Sequence, residues 1–156
     1  MLTLVPLLLA VGTGLVGGVF FAFSTFVMKA LSQLPSEQGI AAMQRINAVV
    51  LNPLFLGLFV GTALLAIIAA VGAVISWGTP RESLLLGAAA LYLVGSFAVT
   101  AAFNVPRNEH LARLAPTSPE ALTYWPVYLR EWLLWNHVRT VASAAAAAAG
   151  TLALVF

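Results

Sequence analysis

The chain is 156 residues long, 62% hydrophobic and 8% charged, with seven Lys/Arg against five Asp/Glu and a net charge of +2. Water-soluble domains average about 25% charged residues, so these side chains are too few to clothe a water-facing surface. No basic run marks nucleic acid as a partner. The lack of cysteine excludes disulfides, thiolate nucleophiles and Cys-ligated metal centres. The length suits one integral membrane domain, residues 1–156, without a separate soluble catalytic module.

The first element is an apolar run from Leu2 to Met28 with neither a basic leader nor a small-residue cleavage site. It predicts a retained first span over residues 2–31 rather than a signal peptide. Leu34-Pro35-Ser36 ends that span and offers Ser36 as an N-cap. Residues 36–52 place Ile40, Met43, Ile46 and Val50 at helical spacing, a short amphipathic helix that runs to a kink at Asn52-Pro53. A second span is expected over residues 53–77. Thr79-Pro80-Arg81-Glu82 then combines an N-cap, a first-turn proline and a capping-box glutamate, opening a third span over 82–104. Pro106 should end or kink it. Residues 104–124 form a second connection, irregular or helical, before Ser118-Pro119-Glu120 opens a fourth span over 121–155.

The expected fold is therefore all-α, a four-transmembrane-helix bundle. Alternation of period two, which a membrane barrel requires, is absent. Both long connections lie on one side of the membrane with Lys29, Arg45, Arg107, Arg113 and Arg130, against Arg81 alone on the other. The positive-inside rule then expects 36–52 and 104–124 in the cytoplasm. Gly14 with Gly18, Gly57 with Gly61, and the alanine run 144–149 before Gly150 are spaced for close helix packing. The same residues leave formation of a homo-oligomer open.

In an apolar bundle each polar group at depth is either paired or used. Trp125, Tyr128, Trp132, Asn136, Arg139 and Ser143 share one stripe of the last helix. The Arg139 guanidinium there needs an anion, several carbonyls or a polar ligand, with Glu131 or Glu109 as the structural alternative. Tyr92, Ser96, Thr100 and Asn104 form a second seam at i, i+4 spacing. The first helix carries Gly14, Gly17 and Gly18 into Phe21, Ser24, Thr25 and Met28, and Asn47 follows Met43 and Gln44. If these seams meet, they line one pocket. Asparagine both donates and accepts, which suits carbonyl or phenol oxygens, and aromatics suit flat rings. Hydrogen bonding between the helices themselves is the plainer alternative.

His137 is a general acid or base at the pocket edge, or else an interfacial histidine. A metal site from His110, His137 and Glu109 or Glu131 is a further alternative, although these residues lack recognised ligand spacing. No Walker loop, dinucleotide fingerprint, nucleophile elbow or zincin motif occurs.

Four segments in order carry a family resemblance. They are Gly18-Val19-Phe20-Phe21-Ala22-Phe23-Ser24, Ala42-Met43-Gln44-Arg45-Ile46-Asn47, Asn104-Val105-Pro106-Arg107-Asn108, and Trp132-Leu133-Leu134-Trp135-Asn136-His137-Val138-Arg139-Thr140. Together they resemble the anthrone oxygenase-like family of small four-helix membrane proteins. Arg107 stands where that pattern leads one to expect an apolar residue. The resemblance implies oxidation of polyketide anthrones to anthraquinones by molecular oxygen, without a dedicated cofactor. The partners it implies are a hydrophobic aromatic or phenolic molecule, oxygen and membrane lipid.

Placed on that chemistry, His137 is the expected base, and Asn104, Asn136 and Arg139 stabilise the developing oxyanion. Phe21, Trp132 and Trp135 hold the rings, with Ser24, Asn47, Thr100 and Asn108 completing the binding surface. A non-enzymatic protein that binds a lipid- or quinone-like ligand, or assists a partner complex, is the alternative. A small transporter subunit is disfavoured because 61–75 and 144–156 are almost purely apolar.

Overall fold

In a computed structural model, residues 3–156 form an all-α chain, and the expected start of the first span at residue 2 lies outside these described residues. Five helices follow one another: α1 Leu4–Ser32, α2 Ser36–Val49, α3 Pro53–Ile75, α4 Pro80–Ala112 and α5 Pro119–Leu152. Their starts are chemically explicit. Asn52 accepts from the Phe55 N–H at 3.0 Å to cap α3, and Ser118 accepts from the Ala121 N–H at 3.2 Å to cap α5. Thr79 and Glu82 close the expected capping box on α4. At α2 the cap position is Pro35, and Ser36 is already helical.

Three helices, α1, α3 and α4, are long and apolar enough to cross a membrane. The fourth expected span, α5, has the length, at 34 residues, but carries Glu120, Arg130, Glu131 and Arg139. The surface suits lipid. Leu54 is 86% exposed, Ile75 79% and Val141 69%, among many other exposed aliphatic side chains.

The expected second connection, 104–124, is shorter than predicted, because α4 runs on to Ala112. Proline at 106 removes a backbone donor and crowds the carbonyl four residues earlier. The helix takes π geometry over Thr100–Asn104, just before the proline, and separately over Leu91–Ala98. A third π turn, Phe23–Val27, interrupts α1.

Helix α5 packs along α1, α4 and α2, while α3 packs on α1 and on the stretch of α4 up to residue 98. Beyond that point α3 and α4 part. Two buried clusters result. One joins Leu9, Val16, Phe20, Phe59, Tyr92 and a series of alanines, and the other joins Met28, Ile40, Met43, Leu111, Trp125, Tyr128 and Trp132. Between them lie the buried polar residues Ser96, Asn104, Asn136, Arg139 and Ser143.

The close helix approaches fall on other glycines than expected. Gly18, Gly57 and Gly61 have no neighbour within 4 Å of a would-be Cβ, whereas Gly150 meets Ala10 as the alanine run suggested. A Cβ on Gly95 would come 2.5 Å from the Ala142 Cβ, and one on Gly17 3.1 Å from the Ser143 Cβ. These contacts press α5 between α4 and α1 one turn beyond Arg139. Gly95→Val should therefore cost about 1–3 kcal/mol through overpacking and lower the thermal midpoint in detergent. Gly18→Ala, into open space, should hold or raise it. Equal melting of the two variants would show that α5 is not seated this way.

Candidate functional site

The parting of α3 from the end of α4 leaves a cavity of about 420 Å³ beside the buried polar layer. Its walls are Val19, Phe20 and Phe23 from α1, Met43 and Ile46 from α2, and Phe55, Leu56 and Phe59 from α3. The polar residues on it are few: Gln44, Asn47, Thr100, Asn104, Asn108, Glu109 and Arg139, with Trp132 among them. A mostly apolar hollow with a few converging polar groups is the usual form of a small-molecule site.

Arg139 dominates its electrostatics. The residue is only 4% exposed. Nη1 donates to Thr100 Oγ1 at 3.2 Å and Nη2 to Asn136 Oδ1 at 2.7 Å, while Nε has no partner. The guanidinium carbon lies 4.1 Å from the Phe20 ring centroid and 5.1 Å from that of Trp132. Aromatic faces attract a cation but do not neutralise it. The carboxylates that might have paired with Arg139 are engaged elsewhere. Glu131 binds Arg107 at 2.8 Å, and Glu109 is the partner of Arg113 at 3.9 Å. Arg107, the departure from the family pattern, thus has a structural task in tying α4 to α5, and it also donates to the Phe103 carbonyl at 2.7 Å.

The neighbours of Arg139 are held in turn. Asn136 donates to the Phe20 carbonyl and to Ser24 Oγ, both at 2.8 Å, tying α1 to α5. Ser24 also meets Thr140 Oγ1 at 2.9 Å, and Ser143 donates to Ser96 Oγ at 3.1 Å. Asn104 donates to the Trp132 carbonyl at 3.2 Å, and its own Oδ1, fully buried, is unpartnered. Because a backbone carbonyl only accepts, that amide orientation is determined. Two orphan buried atoms, one donor and one acceptor, therefore belong to residues lining the same cavity. Such groups are costly in an apolar interior unless a ligand meets them.

Of the expected site residues, Asn47, Thr100, Asn104, Asn108, Trp132 and Arg139 line the cavity. Asn136 and Ser24 stand behind it, holding Arg139 in place. Three of the expected residues lie off the cavity. Phe21 is 58% exposed, and its neighbours Phe20 and Phe23 supply the aromatic wall instead. Trp135 stacks on Phe103 with centroids 3.6 Å apart, away from the cavity. His137 is exposed, about 100° around α5 from Asn136, and does not line the cavity. Among the described residues no three His, Cys, Asp or Glu side chains converge as the metal alternative would need. His110 instead meets Tyr124 edge-on at 4.5 Å. Phe55 and Phe59 were not anticipated, because nothing in an apolar run distinguishes a cavity wall from a lipid-facing side chain.

A cation kept in an apolar layer without a carboxylate is a desolvation burden. Arg139→Met should therefore melt no lower than the parent in detergent, while losing ligand binding. A large drop in the melting midpoint would assign Arg139 to bundle stability instead.

Residues 53–149, more than half of the chain, match the family described as Anthrone oxygenase. No curated protein and no solved structure matches. The matched stretch includes every cavity residue contributed by α3, α4 and α5. The chain belongs to the anthrone oxygenase family.

Proposed function

We propose that the protein is a membrane oxygenase that converts a hydrophobic, anthrone-type aromatic ketone to the corresponding quinone with molecular oxygen. The observation that carries this reading is the buried, carboxylate-free Arg139 among the residues that line an apolar cavity, its hydrogen-bonding capacity incompletely used by the protein. The carbonyl oxygen of the substrate binds to this guanidinium. Removing a proton from the ring methylene opposite sends negative charge onto this oxygen, where Arg139 stabilises it in a low-dielectric setting. Phe20, Phe23, Phe55 and Phe59 hold the rings, and the apolar walls admit oxygen as readily as substrate. The electron-rich carbon then reacts with oxygen. One oxygen atom becomes the new carbonyl and the other leaves as water, so the four electrons lost by the methylene carbon are those that O₂ accepts.

With His137 outside the cavity, the proton acceptor we assign is Glu109, whose side chain is 63% exposed at the cavity rim. Asn136 acts through Arg139 as a positioning residue. The second reading is a binding protein for a quinone-like ring without turnover. The exposure of Glu109, which leaves no buried base on the cavity wall, favours it.

We further propose that α5 makes a fourth crossing with its polar stripe turned inward, and that 36–52 and 113–118 face the cytoplasm. As the chain has no cysteine, single-cysteine variants give a direct test. Gln38→Cys and Thr117→Cys should label from one side of the membrane, Gly78→Cys and Phe156→Cys from the other. Labelling of positions 117 and 156, which flank α5, from the same side would exclude a fourth crossing.

Oxygen uptake by the detergent-purified protein with anthrone, corrected for autoxidation, tests the activity. We expect acceleration that survives a chelator, falls at least 100-fold in Arg139→Gln (removal of one oxyanion donor costs about 10²–10³), and is unchanged in His137→Gln. Saturable anthrone binding without acceleration would replace the enzyme with the binding protein.

A further inference from the structure

The cavity has a second polar end that oxyanion stabilisation at Arg139 does not use. Asn108 Oδ1 accepts two hydrogen bonds, from Tyr128 Oη at 2.9 Å and from Trp132 Nε1 at 2.8 Å. The indole N–H can only donate, so the amide is locked with its oxygen toward Trp132. Its Nδ2 makes no hydrogen bond to the protein, and Asn108 lines the cavity. Asn47 stands beside it, donating to Tyr128 Oη at 3.3 Å and leaving its own carbonyl oxygen without a protein partner. This end therefore offers one donor and one acceptor. At the Arg139 end, Arg139 Nε and Asn104 Oδ1 likewise have no protein partner.

The two ends are a ring apart. The Trp132 indole lies between them, its centroid 5.1 Å from the guanidinium carbon and its Nε1 bonded to Asn108. On α4, Thr100, which touches Arg139, and Asn108 are separated by about 12 Å of helix rise. One aromatic ring with a hydrogen bond of about 2.9 Å at each end covers a span of that order. The side walls between the ends are apolar and aromatic.

We propose that Asn108, locked by Tyr128 and Trp132 and flanked by Asn47, is a specificity-determining end of the site. It binds an oxygen on the ring carbon opposite the one held at Arg139, so the preferred ligand class is a ring with oxygens para to each other. This rests on the reading of the cavity as the oxygenase site. There it places Asn108 Nδ2 at the carbon where the new oxygen is installed, so that the quinone, with two carbonyls, engages both ends while the ketone substrate engages one.

The test is anaerobic titration of the detergent-purified protein with 1,4-naphthoquinone and with 1-tetralone, a bicyclic ketone with a single oxygen, read by tryptophan quenching. With no cysteine in the chain, quinone addition to a thiol is excluded. We expect naphthoquinone to bind about tenfold more tightly, the effect of one further hydrogen bond in an apolar setting. Asn108→Asp keeps the acceptor that Tyr128 and Trp132 need but removes the free donor. It should abolish the preference for naphthoquinone over tetralone, whereas Arg139→Gln should weaken both ligands. Equal affinities in the parent protein, which need no variant to observe, would overturn the second end. So would a preference that persists in Asn108→Asp. Tetralone binding that depends on Arg139 would leave the oxygenase reading standing in either case. Binding of neither probe would overturn both.

Discussion

Burying a guanidinium in an apolar layer without a carboxylate is the constraint around which the rest of this bundle is arranged. The charge is spread over contacts from three helices: the Phe20 ring of α1, Thr100 of α4, and Trp132 and Asn136 of α5 itself. None of these neutralises it, and each is held by a further bond, such as Asn136 to the Phe20 carbonyl. The small residues near Arg139 serve the same end. Gly17 and Gly95 let α1 and α4 close on Ala142 and Ser143, so the helix that carries the arginine cannot slide or turn without a clash. Rigid surroundings matter because an oxyanion donor lowers a barrier only if it is already aimed before charge develops.

The cavity exists because regular packing is interrupted beside this layer. Close alanine contacts draw α3 and α4 together over most of their length, and larger side chains, Phe55 and Phe59 against Thr100, Asn104 and Asn108, face each other where they separate. The π turn before Pro106 lies at this point, widening α4 where Asn104 must turn inward. Helix α2 closes the hollow with Met43 and Ile46 and brings Asn47 to Tyr128. A π-helical turn, a proline, a cation without a carboxylate and a hollow thus coincide, as π turns often do with functional sites.

The burial of the polar stripes was readable in advance. Tyr128, Trp132, Asn136 and Arg139 at helical spacing, and Tyr92, Ser96 and Asn104 on α4, are buried on the faces that periodicity assigned to them, with Thr100 half-buried. The apolar half was not. Phe20 and Phe23, rather than Phe21, turn inward, and Gly17 and Gly95 rather than Gly57 and Gly61 meet a neighbouring helix. Lipid is as apolar as a packed core, so an apolar helix carries no mark of which face is inside. His137 misled for a related reason. Its chemistry suits a base, but it lies one residue from Asn136, about 100° around the helix, and so leaves the cavity altogether.

The sequence by itself determined the helices, their capped starts and the rows of polar side chains that must share an interior, because propensity, capping and periodicity act over a few neighbouring residues. It also carried the family, through segments whose order and spacing survive without reference to shape. Only the tertiary structure decided that Glu131 goes to Arg107 and leaves Arg139 without a carboxylate, that Asn108 is locked by two donors from another helix, and that α3 parts from α4 to open a cavity. Each depends on contacts between residues distant in the chain. Their pairing is settled by packing geometry, and local sequence has no means to encode it.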